Sequence, residues 1–352
     1  MNTKIMRYSE IINLGTRIAF AKIMKHRVPF QISIRVTEEC NQHCSYCVDD
    51  FHRRGVCPPT TKQLFDLIDG FAQLGTKHIT LLGGEPLLRD DINDIVCRVK
   101  KYKINCSLTT NGRRIEKNKN ILTKIDLLSI SLDGDAPTHD AYRGEGSHSA
   151  AINALNIAKE IGVPVQIICT VTDLTDIKLK YLTEIAEKYT CMVTFELLNP
   201  VFNQDGTITL RAEDIGENKA KEFLGLYLKN KNKRIQVSSS VLKYVRDWPF
   251  SYKTFRMFKK IIPIDFNPIH CYAGYFSGFI EANGDLTPCC LMRNDYHPVN
   301  VFDLGAKEAW EQMPVNDCLT CRSIGCNTFN TLFDLHPGTI CNFLRILLKR
   351  KS

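Results

Sequence analysis

Three cysteines stand in the pattern Cys40-x3-Cys44-x2-Cys47, inside the segment Arg35-Val-Thr-Glu-Glu-Cys-Asn-Gln-His-Cys-Ser-Tyr-Cys. Thiolates this close on an irregular loop can converge on one metal centre. Thiolate sulfur holds iron–sulfur clusters, and four cysteines are normal for a [4Fe–4S] unit. Three ligands leave one iron without a protein thiolate, and an open iron is a place for chemistry. Zinc competes for the same sulfurs, but a structural zinc usually closes its shell with four ligands. A second group crowds the C-terminal part of the chain: Cys271, Cys289, Cys290, Cys318, Cys321, Cys326 and Cys341.

The first cysteine loop follows a short alternating run, Ile32, Ile34 and Val36, which predicts a strand. Strand-like runs recur at 78–82, 104–108, 127–132, 163–171 and 192–198. Helical periodicity lies between them at 60–74, 91–101, more weakly at 115–124, and then at 150–161 and 176–188. Six β–α alternations with short connections predict parallel strands and right-handed crossovers. Six units fall short of an eightfold barrel, so the expected class is α/β, a partial (β/α)6 TIM-like barrel. In such folds chemistry gathers at the C-terminal ends of the strands. Residues 9–25 read as a helix ahead of the barrel. After residue 270 the segments 276–281 and 286–289, joined through Asn283-Gly284, predict a β-hairpin.

Composition bounds the function. With 44% hydrophobic and 24% charged residues in 352, the chain can bury a full core and is not disordered. Fifteen cysteines exceed what packing needs, and an odd number cannot all pair within the chain. Charges at Arg7, Glu10, Arg17 and Lys22 break any secretory h-region. No apolar stretch reaches the roughly 18 residues of a membrane span. Reduced thiols in a cytoplasmic protein, used for metal, are therefore expected. The net charge of +8 reads chiefly as a solvated surface. The run Lys349, Arg350, Lys351 closes an amphipathic helix, where a weak peripheral membrane contact is conceivable.

Several further motifs fall just past predicted strand ends: Gly83-Gly84-Glu85-Pro86, Thr109-Thr-Asn-Gly112, Ser129-Ile-Ser-Leu-Asp-Gly134 and His139-Asp-Ala-Tyr-Arg143. Together with the cysteine loop they resemble the radical S-adenosylmethionine (SAM) superfamily over roughly residues 30–200. The resemblance implies a [4Fe–4S] cluster on Cys40, Cys44 and Cys47, with SAM on its open iron. It implies that the backbone and carboxylate of Gly83, Gly84 and Glu85 hold the SAM amino group, the glycines permitting close approach. Positions matching Ser131 and Arg143 contact the SAM ribose and carboxylate, with Asn111 nearby. Tyr46 matches the aromatic beside the adenine, and Leu198 could pack on the same base. The implied chemistry is reductive cleavage of SAM to a 5′-deoxyadenosyl radical that takes hydrogen from an unactivated carbon. A low-potential electron donor of flavodoxin or ferredoxin type is implied as partner.

Cys271-x12-Gly284-x4-Cys289, followed by Cys318-x2-Cys321, resembles the SPASM motif of that superfamily in its shortened "twitch" form. The full pattern would need a further cysteine where Asn330 stands. The resemblance thus implies one auxiliary [4Fe–4S] cluster on Cys271, Cys289, Cys318 and Cys321. Cys290 rivals Cys289, and Cys326 and Cys341 offer another pairing with Cys318 and Cys321. The expected division is a helical extension (1–29), the partial barrel (30–200), a bridging region (201–270), the auxiliary domain (271–346) and a basic tail (347–352). The substrate reads as a sugar, cofactor or envelope precursor, or a peptide. The alternative of a peptide maturase would rely on a separate recognition protein, because only 1–29 precede the barrel. A zinc and nucleic-acid-binding protein would interleave basic residues with exposed aromatics. No such stripe occurs, so no nucleic-acid partner is expected.

Overall fold

The computed structural model describes residues 8–47, 57–171, 176–197, 201–202, 208–209, 217–229, 234–251, 254–258, 265–291, 297–314 and 318–349. Six parallel strands lie side by side in chain order: β1 (Gln31–Arg35), β2 (His78–Leu82), β3 (Asn105–Thr110), β4 (Leu127–Ser131), β5 (Val165–Val171) and β6 (Met192–Leu197). Ahead of them comes α1 (Tyr8–Ile23). The crossovers carry α2 (Thr61–Gln73), α3 (Ile92–Lys101), the single turn α4 (Lys119–Leu122), α5 (Ala136–Arg143), α6 (Ser147–Ile161) and α7 (Asp176–Lys188). The mixed α/β architecture with a largely parallel, unclosed sheet is that of a partial TIM-like barrel.

Local sequence explains the elements. In α2 the Thr60 hydroxyl accepts the Gln63 N–H while the Gln63 side chain accepts the Thr60 N–H, a reciprocal cap. Leu64, Leu67, Ile68 and Phe71 then recur at helical spacing and are buried. The weak helix at 115–124 is a 3-10 turn (Glu116–Asn118) followed by α4. α5 leaves no periodic signature in the sequence, because its eight residues carry few apolar side chains. It is set instead by Asp135, whose carboxylate accepts the Thr138 N–H, and by Pro137 in the first turn.

The strands have two unlike faces. Ile32, Ile34, Ile79, Leu81, Cys106, Leu108, Leu128, Ile130, Ile167 and Phe195 are completely or almost completely buried against the helices. The alternate residues are mostly polar. Ser33, Thr80 and Ser107 stand in register across β1, β2 and β3. Ser129 and Gln166 do so across β4 and β5. His78 Nε2 lies 3.2 Å from the Thr80 hydroxyl and 3.1 Å from that of Ser107. Parallel strands covered on both faces read as unbroken apolar runs. Here the inner face is hydroxyl- and amide-rich, and many of its residues are only half-buried.

Beyond β6 come the small hairpin β7 (Val201–Phe202) and β8 (Ile208–Thr209), then α8 (Glu217–Lys229) and α9 (Ser239–Arg246). Between α8 and α9, Ile235 forms a single parallel bridge to Val193 of β6. Strand β9 (Arg256–Phe258) pairs antiparallel with β13 (Cys318–Cys321), so part of the expected bridging region belongs with the second cysteine group. The hairpin of β10 (Ser277–Ile280) and β11 (Asp285–Thr287) forms as its sequence suggests. It does not stand apart at residue 271: β10 pairs in parallel with β1, and β12 (Val299–Asn300) extends the same sheet to nine strands. α10 (Val301–Gln312) covers it, and α11 (Ile324–Phe333) and α12 (Pro337–Lys349) close the chain. A second apolar cluster joins α1 to this region through Ile18, Ala21, Phe30, Tyr272, Phe276 and Phe333.

The join between barrel and hairpin contains a buried ion pair. Arg35, ending β1, donates from Nη1 to Glu281 at 2.5 Å, just past β10. Removing one partner of such a pair leaves a charge in low dielectric. Glu281→Ala is therefore expected to lower unfolding stability by about 3–5 kcal/mol. Urea titration followed by circular dichroism checks this, and a loss near zero would mean the pair does not anchor the join.

Candidate active site

The cysteine loop leaves β1 and is held by the ends of β2 and β3 and by α5. The Gly84 N–H donates to the Thr37 carbonyl at 2.9 Å, and the Glu85 N–H to the Glu39 carbonyl at 2.8 Å. Asn111, past β3, donates from Nδ2 to Asn41 at 2.8 Å. The Ser45 N–H donates to the Tyr142 carbonyl of α5 at 2.9 Å. Within the loop the Cys47 N–H reaches the Cys44 carbonyl. Cys40, Cys44 and Cys47 are all half-buried. Burial, with negative charge on Glu85, Cys44 and Cys47 adding to it, pushes the Cys40 thiol up to about 11. The three sulfurs are thus electrostatic neighbours on one braced loop. Such thiols ionise readily only against positive charge, which a metal centre supplies.

The Gly-Gly-Glu turn packs directly against the cysteine loop. A Cβ on Gly83 would meet the Thr37 carbonyl at 2.5 Å, and one on Gly84 the Glu39 carbonyl at 2.2 Å. These glycines admit the backbone of the cysteine loop. The Glu85 carboxylate, expected on a ligand, is fully buried. It accepts the Leu87 N–H, the Thr110 hydroxyl and the Asn111 N–H at 2.8–3.0 Å. Burial raises its pKa to about 7 despite these donors. Glu85 binds the end of β2 to the end of β3.

Asp133, which the sequence reading quoted but did not single out, organises the next group. Its buried carboxylate accepts Arg143 Nε at 2.6 Å and Nη2 at 3.3 Å, the Tyr46 hydroxyl, and the Thr170 N–H at 2.9 Å. Burial alone would raise its pKa, but the Arg143 charge and the hydrogen bonds hold it below the usual value. The Arg143 guanidinium lies 5.3 Å from the centre of the Tyr46 ring. Two of its nitrogens are committed to Asp133, so its first task in the fold is to fix Asp133 and Tyr46. Ser131 ends β4, half-buried on the inner face. Leu198 lies outside the described residues.

The second cysteine group is also gathered. The Cys271 N–H donates to the Leu319 carbonyl, placing Cys271 beside β13, where its thiol pairs with that of Cys318. Cys289 lies 3.9 Å from Cys326, sulfur to sulfur, and Cys326 is also hydrogen-bonded to Cys321. Cys290 pairs with Cys289. Cys326 therefore stands among the four expected ligands, whereas Cys341 is exposed on α12. The four-residue gap after Cys321 becomes the first turn of α11, which swings Cys326 back toward the hairpin. Asn330, standing where the full motif has a cysteine, is buried and accepts the Tyr272 N–H at 3.0 Å. Among the described residues, no three His, Cys, Asp or Glu converge as donors to a single ion do. A four-iron cube presents separate corners and accommodates a wider spread.

Glu196, near the end of β6, was not anticipated. It accepts the N–H groups of Ile324 and Gly325 and faces the Ser323 hydroxyl at 3.5 Å, so it caps α11 from another element. A Cβ on Gly325 would lie 2.4 Å from Glu196 Oε1. Burial, reinforced by Cys326, raises the Glu196 pKa to about 8.

Residues 34–185 match the Radical SAM superfamily. A probable GTP 3′,8-cyclase of Archaeoglobus fulgidus is 32% identical over 149 residues, 40% of this chain and 49% of the relative. The mycofactocin maturase MftC of Mycobacterium tuberculosis is 28% identical over 179 residues, 49% of this chain and 45% of the relative. The chain thus spans about half the length of these curated relatives. The crystal structure of Streptococcus suis SuiB bound to S-adenosylmethionine is similar with a TM-score of 0.65 at 18% identity. That likeness covers 87% of this chain and 71% of SuiB, so the shared fold extends beyond the barrel into the cysteine-rich segment. Over residues 34–185, which run from β1 into α7, the chain is similar to the radical SAM superfamily, and its fold is similar to that of a structure solved with S-adenosylmethionine.

Proposed function

We propose that Cys40, Cys44 and Cys47 hold the cluster and that SAM lies across the ends of β1–β4, against Tyr46, Gly83, Gly84, Asn111, Ser131 and Arg143. The pair serves to remove hydrogen from a polar organic substrate on the inner face of the sheet. The observation that carries this reading is the bracing of one three-cysteine loop by the ends of β2 and β3 and by α5. When bound, the cluster and SAM supply one-electron cleavage at the sulfonium and a carbon radical able to attack an unactivated C–H bond. The protein's part is placement. Glu85 fixes the ends of β2 and β3, and Asp133 holds Tyr46 and Arg143 against the opening. Ser33, Thr80, Ser107, Ser129 and Gln166 offer hydrogen bonds to a substrate below. A donor of flavodoxin or ferredoxin type would deliver the electron.

A peptide is the substrate class we favour. MftC is named a maturase, and SuiB has been solved with its precursor peptide SuiA. The amide- and hydroxyl-rich inner face supports it, because a peptide backbone needs partners for each N–H and carbonyl it brings out of water. We assign an auxiliary [4Fe–4S] cluster to Cys271, Cys289, Cys318 and Cys321, with Cys326 as a fifth thiol at its edge. Glu196 then ties the substrate-facing end of β6 to that centre.

Anaerobically purified chain is expected to hold about eight irons and to cleave SAM with a reductant. Cys40→Ala should abolish that cleavage. Cys318→Ala should lower iron to about four per chain and spare it. Cleavage surviving in Cys40→Ala would overturn the assignment of the loop. Gly84→Ala, which must displace the Glu39 carbonyl, should slow SAM cleavage about tenfold or more with the circular dichroism unchanged. Deuterium passing from a labelled peptide into 5′-deoxyadenosine would support the substrate class, and transfer only from a sugar or nucleotide would reject it.

A further inference from the structure

Helix α1 has two apolar faces, and among the described residues only one packs against the fold. Ile18 and Ala21 pack with Phe30, Tyr272, Phe276 and Phe333 in the second core. Ile12, Phe20 and Ile23 are 60–78% exposed. With the exposed Thr16, they fall within about 80° of one another around the helix, away from the buried pair. Met24 follows, 49% exposed. Phe329 of α11, ring-stacked on Phe333, adds another exposed ring on the element beneath α1.

Charge accompanies this face. Arg17, Lys25 and His26 are exposed along and just past α1. Arg17 adds to the burial that depresses the Lys77 ammonium, so two positive charges face one another there. Residues 1–29 contain six Lys or Arg and one acid, and residues 337–352 contain four and none. These two segments account for the whole excess of +8, leaving the rest of the chain near neutrality. Lys22 of α1 donates to Asp334 at 2.7 Å, three residues before α12 begins. A solvated basic surface would be spread over the molecule and would not coincide with exposed Ile and Phe.

We infer that α1 docks this enzyme on an anionic phospholipid surface. Ile12, Phe20, Ile23 and Met24 enter the headgroup boundary, and Arg17 and Lys25 lie against lipid phosphates. An amphipathic helix with large apolar residues on one face and basic residues beside them binds in this way, and two weak signals are needed for stable attachment. Among the described residues no helix is long and apolar enough to cross a membrane. The contact is therefore peripheral. It goes beyond the proposed chemistry and does not depend on the cysteine assignments.

The test is co-sedimentation of the anaerobically purified, iron-loaded chain with vesicles. Equal parts of phosphatidylglycerol and phosphatidylcholine should pellet the chain, phosphatidylcholine alone should not, and added salt should weaken the binding. Phe20→Ser with Ile23→Ser, and separately Arg17→Gln with Lys25→Gln, should each reduce binding about tenfold or more. All four positions are exposed, so iron content and circular dichroism should stay as in the parent chain. Absence of pelleting, equal pelleting with neutral vesicles, or no effect of either double substitution would overturn the inference. So would a dimer in lipid-free sedimentation that Phe20→Ser with Ile23→Ser dissolves, because the face would then belong to a second copy.

Discussion

Two backbone hydrogen bonds, from Gly84 to Thr37 and from Glu85 to Glu39, set where the first three cysteines can be. Each is worth only about 1 kcal/mol net. Their consequence is geometric. They clamp the loop that leaves β1 against the turn that leaves β2, at a separation where no Cβ fits on either glycine. A loop of polar residues and thiols has little apolar surface to hold it. Its shape must come from hydrogen bonds to elements that are themselves rigid. Glu85 supplies that rigidity by satisfying three donors from its own turn and from β3.

The same logic repeats across the opening. Asp133 gathers Arg143, Tyr46 and the backbone of β5 around one buried carboxylate. Networks of this kind are costly when half-satisfied and specific when complete. The result joins the cysteine loop, through Tyr46, to the ends of β4 and β5. The second cysteine group is tied to both ends of the six-stranded run. On one side β10 pairs with β1 and Glu281 meets Arg35. On the other, Glu196 of β6 caps α11, whose first turn carries Cys326. The C-terminal segment therefore spans the gap that six strands leave, where a closed barrel would have two more.

Much of this was legible in the residues. Alternation of Ile32, Ile34 and Val36 marked β1, and the spacing of Leu64, Leu67, Ile68 and Phe71 marked α2. Both are local, since burial on one face repeats with the period of the element. α5 was not legible, because a cap and a proline set it and no apolar stripe does. The pairing of β10 with β1 was hidden for another reason: a gap of more than 240 residues leaves no periodic trace.

From the sequence alone came the order of strands and helices, the three-cysteine loop and the turns that face it. Those depend on residue type and spacing, which the chain carries locally. Only the tertiary structure decided which groups the polar residues serve. It turned Glu85 inward, made Asp133 the centre of its network and brought Cys326 to Cys289. It also placed Glu196 on a helix from the far end of the chain. Hydrogen-bonding partners of buried charges are chosen by three-dimensional proximity, and spacing along the chain does not record that choice.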